Sequence, residues 1–201
     1  MNGEKRSAAG FGAIGIAAAF IFAVIWVVAA AADPSWILGS SSISDLGVSD
    51  VNLTKDLFKY GCIITGAFVM IYGAGKAYAY KSTECASGIL LFFAGIMLIL
   101  IGLIPSGQTY HKSVAILFFI FLIFAILCAG YSDGMAGRML NAAAAAFVIA
   151  AAGMAFFGIS IDMGEAIMVA GALGWLVCDG IKLMVSKTIE ASDKKVQKVE
   201  A

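Results

Sequence analysis

The chain has 201 residues, 62% of them hydrophobic and 13% charged, about half the charged share of an average soluble domain. With a mean hydropathy of +0.98, this excludes an ordinary water-soluble globule and makes lipid the solvent for most of the chain. A net charge of zero implies no nucleic-acid partner. The four cysteines, Cys62, Cys85, Cys128 and Cys178, show no metal-ligand spacing and read as small buried hydrophobes without a disulfide framework.

Met1 to Gly10 carries Lys5 and Arg6, and Ser7 to Ala32 then has no charge at all. A cleaved signal peptide shares the basic start and the small residues before Asp33. Its apolar core is only about 7–15 residues long, however, and this run is much longer. It is read as a first spanning helix, since about 20 apolar residues cross a bilayer. Asp33-Pro34 ends it, because the residue before proline avoids helical geometry, and Trp36 is expected at the interface.

The longest polar interruption follows, Gly39 to Asp56, with SSSISDLG at Ser40 to Gly47. Asn52-Leu53-Thr54 matches a glycosylation sequon, but Thr54 is read more simply as the N-cap of the second helix. That helix is expected over 57–78, with Lys59 and Lys76 near its ends reaching out to water. Lys81 and Glu84 mark a short loop.

The third helix is expected over 86–104. Its Gly88, Gly95 and Gly102 recur every seven residues, which places them near one face and allows a neighbouring backbone to approach. Pro105 stops it, and PSGQTYHK (Pro105 to Lys112) is a tight polar turn. The fourth helix is expected over 113–131, followed by a loop from Ser132 to Arg138. The fifth, over 139–159, is rich in alanine and is expected to sit centrally. The sixth is expected over 165–185. Residues 1–186 thus form a six-helix transmembrane domain, and 187–201 a charged cytoplasmic tail.

Six crossings put both termini on one side. That side holds Lys5, Arg6, Lys76, Lys81, Arg138, Lys182, Lys187, Lys194, Lys195 and Lys198, ten of the thirteen basic residues. The other side keeps Lys55, Lys59 and Lys112. Short-loop lysines and arginines favour the cytoplasmic face, so the fold class is an all-α, multi-pass cell-membrane protein with cytoplasmic termini. The outer face then gathers Asp33, Asp45, Asp50, Asp56, His111, Asp162 and Glu165.

Several motifs now stand in order. They are SDLG (Ser44 to Gly47), LFKYGCIITG (Leu57 to Gly66), GLIPSGQTYH (Gly102 to His111) and GEAI (Gly164 to Ile167), with Trp175 in the last span. In this order they resemble the DUF998 family, small six-span membrane proteins of archaea and bacteria with no assigned activity. The resemblance covers nearly the whole chain, although Lys59 stands where the family pattern often has asparagine. It implies Ser44, Asp45, Gly47, His111, Glu165 and Trp175 as marked positions, and no reaction.

Ser44, Asp45, His111 and Glu165 are the candidate site. A histidine oriented by a carboxylate can act as a general base, with serine as nucleophile. The same groups form a thin ligand set for a metal, and no cofactor is indicated. The local alternative is structural, with Ser44 and Asp45 satisfying turn amides and Glu165 favoured by the dipole of its own helix. Asp179 lies inside the apolar pattern of the sixth helix, where an i,i+3 ion pair with Lys182 is the simplest reading. With little that is ionisable at mid-depth, a proton-coupled pump or carrier is disfavoured. Two functions stay open. One is a binding protein for a lipid or a membrane partner. The other is an outer-leaflet lipid hydrolase using the His/carboxylate/Ser set. In either case the SDLG turn is expected to pack on the start of helix four or six, with at least one direct hydrogen bond linking the segment between the first two helices to His111 or Glu165.

Overall fold

The computed structural model describes residues 3–135, 138–157 and 160–199. These form six α-helices: α1 (Gly3–Ala32), α2 (Asn52–Ala79), α3 (Ser82–Leu103), α4 (His111–Met135), α5 (Met139–Phe157) and α6 (Ile161–Val199). A single 3-10 turn, Ile43–Val48, lies between α1 and α2. Five helices are long and apolar enough to cross a membrane, and α5 has a shorter apolar stretch at Asn141–Ala150. The chain is therefore a multi-pass helical membrane protein. In lipid every backbone polar group must be satisfied within its own segment, and α-helices do that residue by residue.

The helices form a ring. Each packs on its neighbours in sequence, and α1 closes the ring against α6. Small residues set the tight crossings. A Cβ on Gly95 would stand 2.6 Å from the Gly66 carbonyl oxygen, and one on Gly73 would stand 2.6 Å from that of Gly88. The glycine stripe of α3 thus interlocks with a matching stripe on α2. At the α1–α6 seam, a Cβ on Gly180 would lie 2.8 Å from the Gly12 carbonyl oxygen. With no hydrophobic force between helices in lipid, such close backbone packing is what holds them together.

Several sequence expectations need correction. The second helix begins at Asn52 rather than near Leu57. Thr54 is therefore not its cap but a first-turn residue, fully buried, whose hydroxyl donates to the Ala29 carbonyl across the α1–α2 contact at 3.1 Å. The fourth helix runs on through Ser132 and Asp133 to Met135, where a loop was expected. The sixth begins four residues earlier, at Ile161, and continues helical through the charged tail to Val199. The alanine-rich α5 is not central. It forms one wall of the ring between α4 and α6, with Ala143, Ala146 and Phe147 exposed.

The segment between α1 and α2 is tied down at both ends. Asp33 accepts hydrogen bonds from the Ser35 hydroxyl at 2.6 Å, the Ser35 amide at 2.9 Å and the Ser49 hydroxyl at 2.5 Å. The Ser35 hydroxyl contributes most to holding the Asp33 carboxyl below its ordinary range, and Ser49 next. The Trp36 indole N–H donates to the Ser42 carbonyl at 2.8 Å. Ile43 and Leu46 are buried and join an apolar cluster with Phe22, Phe58, Leu98 and Ile101. A turn with two apolar plugs is pulled onto the helices beneath it because exposing them to water costs about 1.5–3 kcal/mol each.

Candidate functional site

The four candidate residues lie at the end of the ring that carries the 3-10 turn. Asp45 is exposed, and its Oδ2 accepts the Ser42 amide at 2.9 Å, a local capping contact. The Ser44 hydroxyl pairs with that of Ser42 at 2.9 Å. Glu165 sits in the second turn of α6, where the Ile43 backbone amide approaches its carboxylate and Asp162 and Asp45 are its acidic neighbours. The turn segment also reaches α6 directly, through the Ser160 hydroxyl, which donates to the Gly39 carbonyl at 3.1 Å. His111 opens α4 and is buried, with Nδ1 2.6 Å from the Ile104 carbonyl oxygen.

A carbonyl oxygen can only accept, so Nδ1 carries the proton. In the neutral ring Nε2 is then a bare lone pair, and in the cation it is a donor. Nε2 has no hydrogen-bond partner among the described residues. The ring is therefore oriented by a backbone carbonyl rather than by Asp45 or Glu165, without the carboxylate that usually stabilises a catalytic imidazolium.

Ser44, His111 and Glu165 share one feature that no sequence pattern announces. All three line one cavity between the helices. Asp45 is not on its wall. The rest of the lining is almost wholly apolar, including Phe22, Phe58, Leu98, Phe118, Val169 and Trp175. The cavity runs between two apolar clusters, one under the 3-10 turn and one around Tyr72, Trp175 and Leu183. α4 and α6 scarcely approach each other directly, and this leaves the space open between them. Two further wall residues, Thr65 and Trp175, have a buried polar atom with no partner among the described residues, Oγ1 and Nε1 respectively. Buried polar groups are ordinarily satisfied. His111 Nε2, Thr65 Oγ1 and Trp175 Nε1 thus give three such atoms among the residues lining one cavity.

Below the cavity lies a second site, which sequence reasoning missed. Lys76 was expected to reach out to water, yet it is fully buried. Its Nζ lies 2.5 Å from Asp179 Oδ2, 3.1 Å from Glu84 Oε2 and 5.4 Å from the centre of the Trp175 ring. Lys182 Nζ lies 2.8 Å from Glu84, 3.0 Å from Asp133 and 2.8 Å from Asp179. Arg138 Nε pairs with Asp133 at 2.5 Å, Asn141 also bonds Asp133, and the Tyr72 hydroxyl donates to Asp179 at 2.6 Å. The i,i+3 pair of Asp179 and Lys182 therefore exists, but as one edge of a buried network drawn from α2, α3, α4, α5 and α6. The interior of the ring therefore carries charge at this end, so emptiness of charge does not speak against a carrier. One signal was available. Lys76, Arg138 and Lys182 balance Glu84, Asp133 and Asp179, all near helix ends on one side.

Each ion costs several kcal/mol to bury, and only close, multiple pairing offsets this. The network thus closes one end of the ring lumen, with Trp175 lying between it and the cavity. Among the described residues no group of three or more His, Cys, Asp or Glu side chains is placed to hold a metal ion.

A family model described as a protein of unknown function (DUF998) matches residues 16–181. No curated protein and no solved structure matches the chain.

Proposed function

The chain belongs to the DUF998 family of proteins of unknown function, and from that premise we propose that it binds a membrane amphiphile inside its helical ring. The cavity carries this reading. Ligand sites are typically concave and mostly apolar, with a few polar groups that fix orientation. This one has an apolar body for a hydrocarbon chain, and Ser44, His111 and Glu165 at its polar rim. Lipid surrounds the protein on every side, so such an occupant needs no route through water.

The rim lies on the extracytoplasmic face of the cell membrane in this proposal, and both termini lie in the cytoplasm. The course of the chain supports six crossings. Asn141, at the start of α5, lies beside Asp133 and near Asp179 at the ion-pair end. Ser160, just after α5, bonds Gly39 at the opposite end. α5 therefore traverses the same depth as its neighbours. Discounting Lys76, Arg138 and Lys182, which are paired within the network, the termini side still has Lys5, Arg6, Lys81, Lys187, Lys194, Lys195 and Lys198 against Lys55, Lys59 and Lys112, which favours cytoplasmic termini.

Native mass spectrometry of protein extracted in a neutral detergent tests the binding. The wild type is expected to carry an adduct of amphiphile mass. Ala94→Phe, which puts a ring into the cavity from a buried wall position, is expected to lose it. An adduct retained equally by both, or absent from the wild type after lipid is supplied, would sink the proposal.

A further inference from the structure

The charge distribution around the cavity narrows what it would take. We infer that its occupant is an amphiphile with a positively charged amine or ammonium head, held at the Glu165 carboxylate, a refinement that rests on the amphiphile-binding reading above.

Among the described residues, Glu165 is the one acidic side chain on the wall, and no lysine or arginine lines the cavity. The groups acting on its carboxylate from nearby are also acidic, Asp162 on its own helix and Asp45 on the 3-10 turn. Of the lysines on this end of the ring, Lys59 and Lys112 are exposed and Lys55 is half-buried, and none of the three lines the cavity. An anionic head at this rim would therefore meet like charge with no cation on the wall to compensate it, an unfavourable arrangement when desolvated.

A cationic head meets the opposite situation. It finds a carboxylate in apolar surroundings, where the attraction is weakly screened. His111 supplies a second contact. Its Nδ1 is committed to the Ile104 carbonyl and its Nε2 is buried without a partner. In the neutral ring that nitrogen is an acceptor, suited to an amine N–H. The rings of Phe22, Phe58, Phe118 and Phe119 also line the space, and aromatic faces attract ammonium groups. The cations deeper in the ring, Lys76 and Lys182, are already paired with Asp179, Glu84 and Asp133. They are not available to an anionic head that enters inverted.

The test uses the full chain in maltoside detergent and a bromine-labelled alkyl chain whose binding quenches tryptophan fluorescence through Trp175 on the wall. Dodecylammonium, dodecyl sulfate and dodecanol compete with it, matched in chain length. The ammonium is expected to displace the probe at a concentration at least about tenfold below that of the sulfate, in keeping with charge-based selectivity. Glu165→Gln, which keeps size and shape, is expected to collapse that ratio toward one. Tetramethylammonium, a head without a chain, is expected not to displace.

Equal potency of the two charged competitors, preference for the sulfate, an unchanged ratio in Glu165→Gln, or displacement by tetramethylammonium would each overturn the inference, with chain binding itself intact. Absence of quenching that is sensitive to Ala94→Phe, or to Ala115→Phe on the neighbouring helix α4, would instead remove the amphiphile-binding reading on which it rests.

Discussion

Asp179→Asn is the sharpest perturbation of the buried network. The substitution keeps the shape and leaves an acceptor for the Tyr72 hydroxyl, which now bonds Oδ2 at 2.6 Å. What it removes is charge. Lys76 would keep only Glu84, at 3.1 Å, in place of an ion pair at 2.5 Å, and Lys182 would keep Glu84 and Asp133. The balance of three cations against three acids becomes one excess positive charge, and Lys76, Lys182, Glu84 and Asp133 around it are buried. Breaking a buried pair by removing one partner costs about 3–5 kcal/mol, because the surviving ion is stranded. That corresponds to about two to four powers of ten in the unfolding equilibrium. Reversible unfolding in mixed micelles of rising dodecyl sulfate content, followed by helical circular dichroism, reads this directly. The double variant Lys76→Met with Asp179→Asn restores neutrality. It should be less damaging than the sum of the two singles by about 0.5–3 kcal/mol, the usual range for coupled neighbours. A single variant within about 0.5 kcal/mol of wild type, the range of ordinary surface changes, would refute the reasoning, as would strict additivity of the pair.

Gly95→Leu should lower stability by about 1–3 kcal/mol through overpacking, since even a Cβ there meets the Gly66 carbonyl oxygen at 2.6 Å; an unchanged melting point in detergent would mean that α2 and α3 do not cross at this stripe. The Asp33 carboxyl is held below its ordinary value by Ser35 and Ser49. Its stabilising effect is therefore full above the unfolded pKa of about 3.9 and is lost as pH falls through the lower folded value. Protease nicking between Pro34 and Ser49 should accordingly rise only in strong acid, whereas Asp33→Asn should show raised nicking already at neutral pH. Single cysteines in a cysteine-free background should react with an impermeant thiol reagent in whole cells at Ser42 and Gly107 and fail to react at Ser82 and Ser192; the reverse pattern would invert the topology.

The glycine stripe and the ends of the spans show how differently two kinds of information travel in this chain. Gly88, Gly95 and Gly102 lie on one helix, so their spacing alone puts them on one face. Their contact with α2 follows because small residues in lipid gain by close approach. The spans themselves were legible for a similar reason, since bilayer thickness imposes long uncharged runs. The candidate rim was legible only as far as residue type and a shared end of the helices. That Ser44, His111 and Glu165 line one cavity while Asp45 turns outward depends on how the 3-10 turn folds back onto α2 and α6.

The charged network was misread, and the reason is physical. A lysine near the end of an apolar helix has the same local sequence whether its stem reaches out to water or its head turns inward to an acid. Lys76 turns inward because Asp179, 103 positions away, stands where it can be reached. Lys182 does so because Glu84 and Asp133, 98 and 49 positions away, are brought to the same depth. Composition and apolar run length determined that the chain is a multi-pass helical membrane protein, and short motifs identified its family. Only the closure of six helices into a ring decided that the lumen holds an apolar cavity above a sealed set of ion pairs. Burial of charge depends on partners that sequence separation conceals and packing supplies.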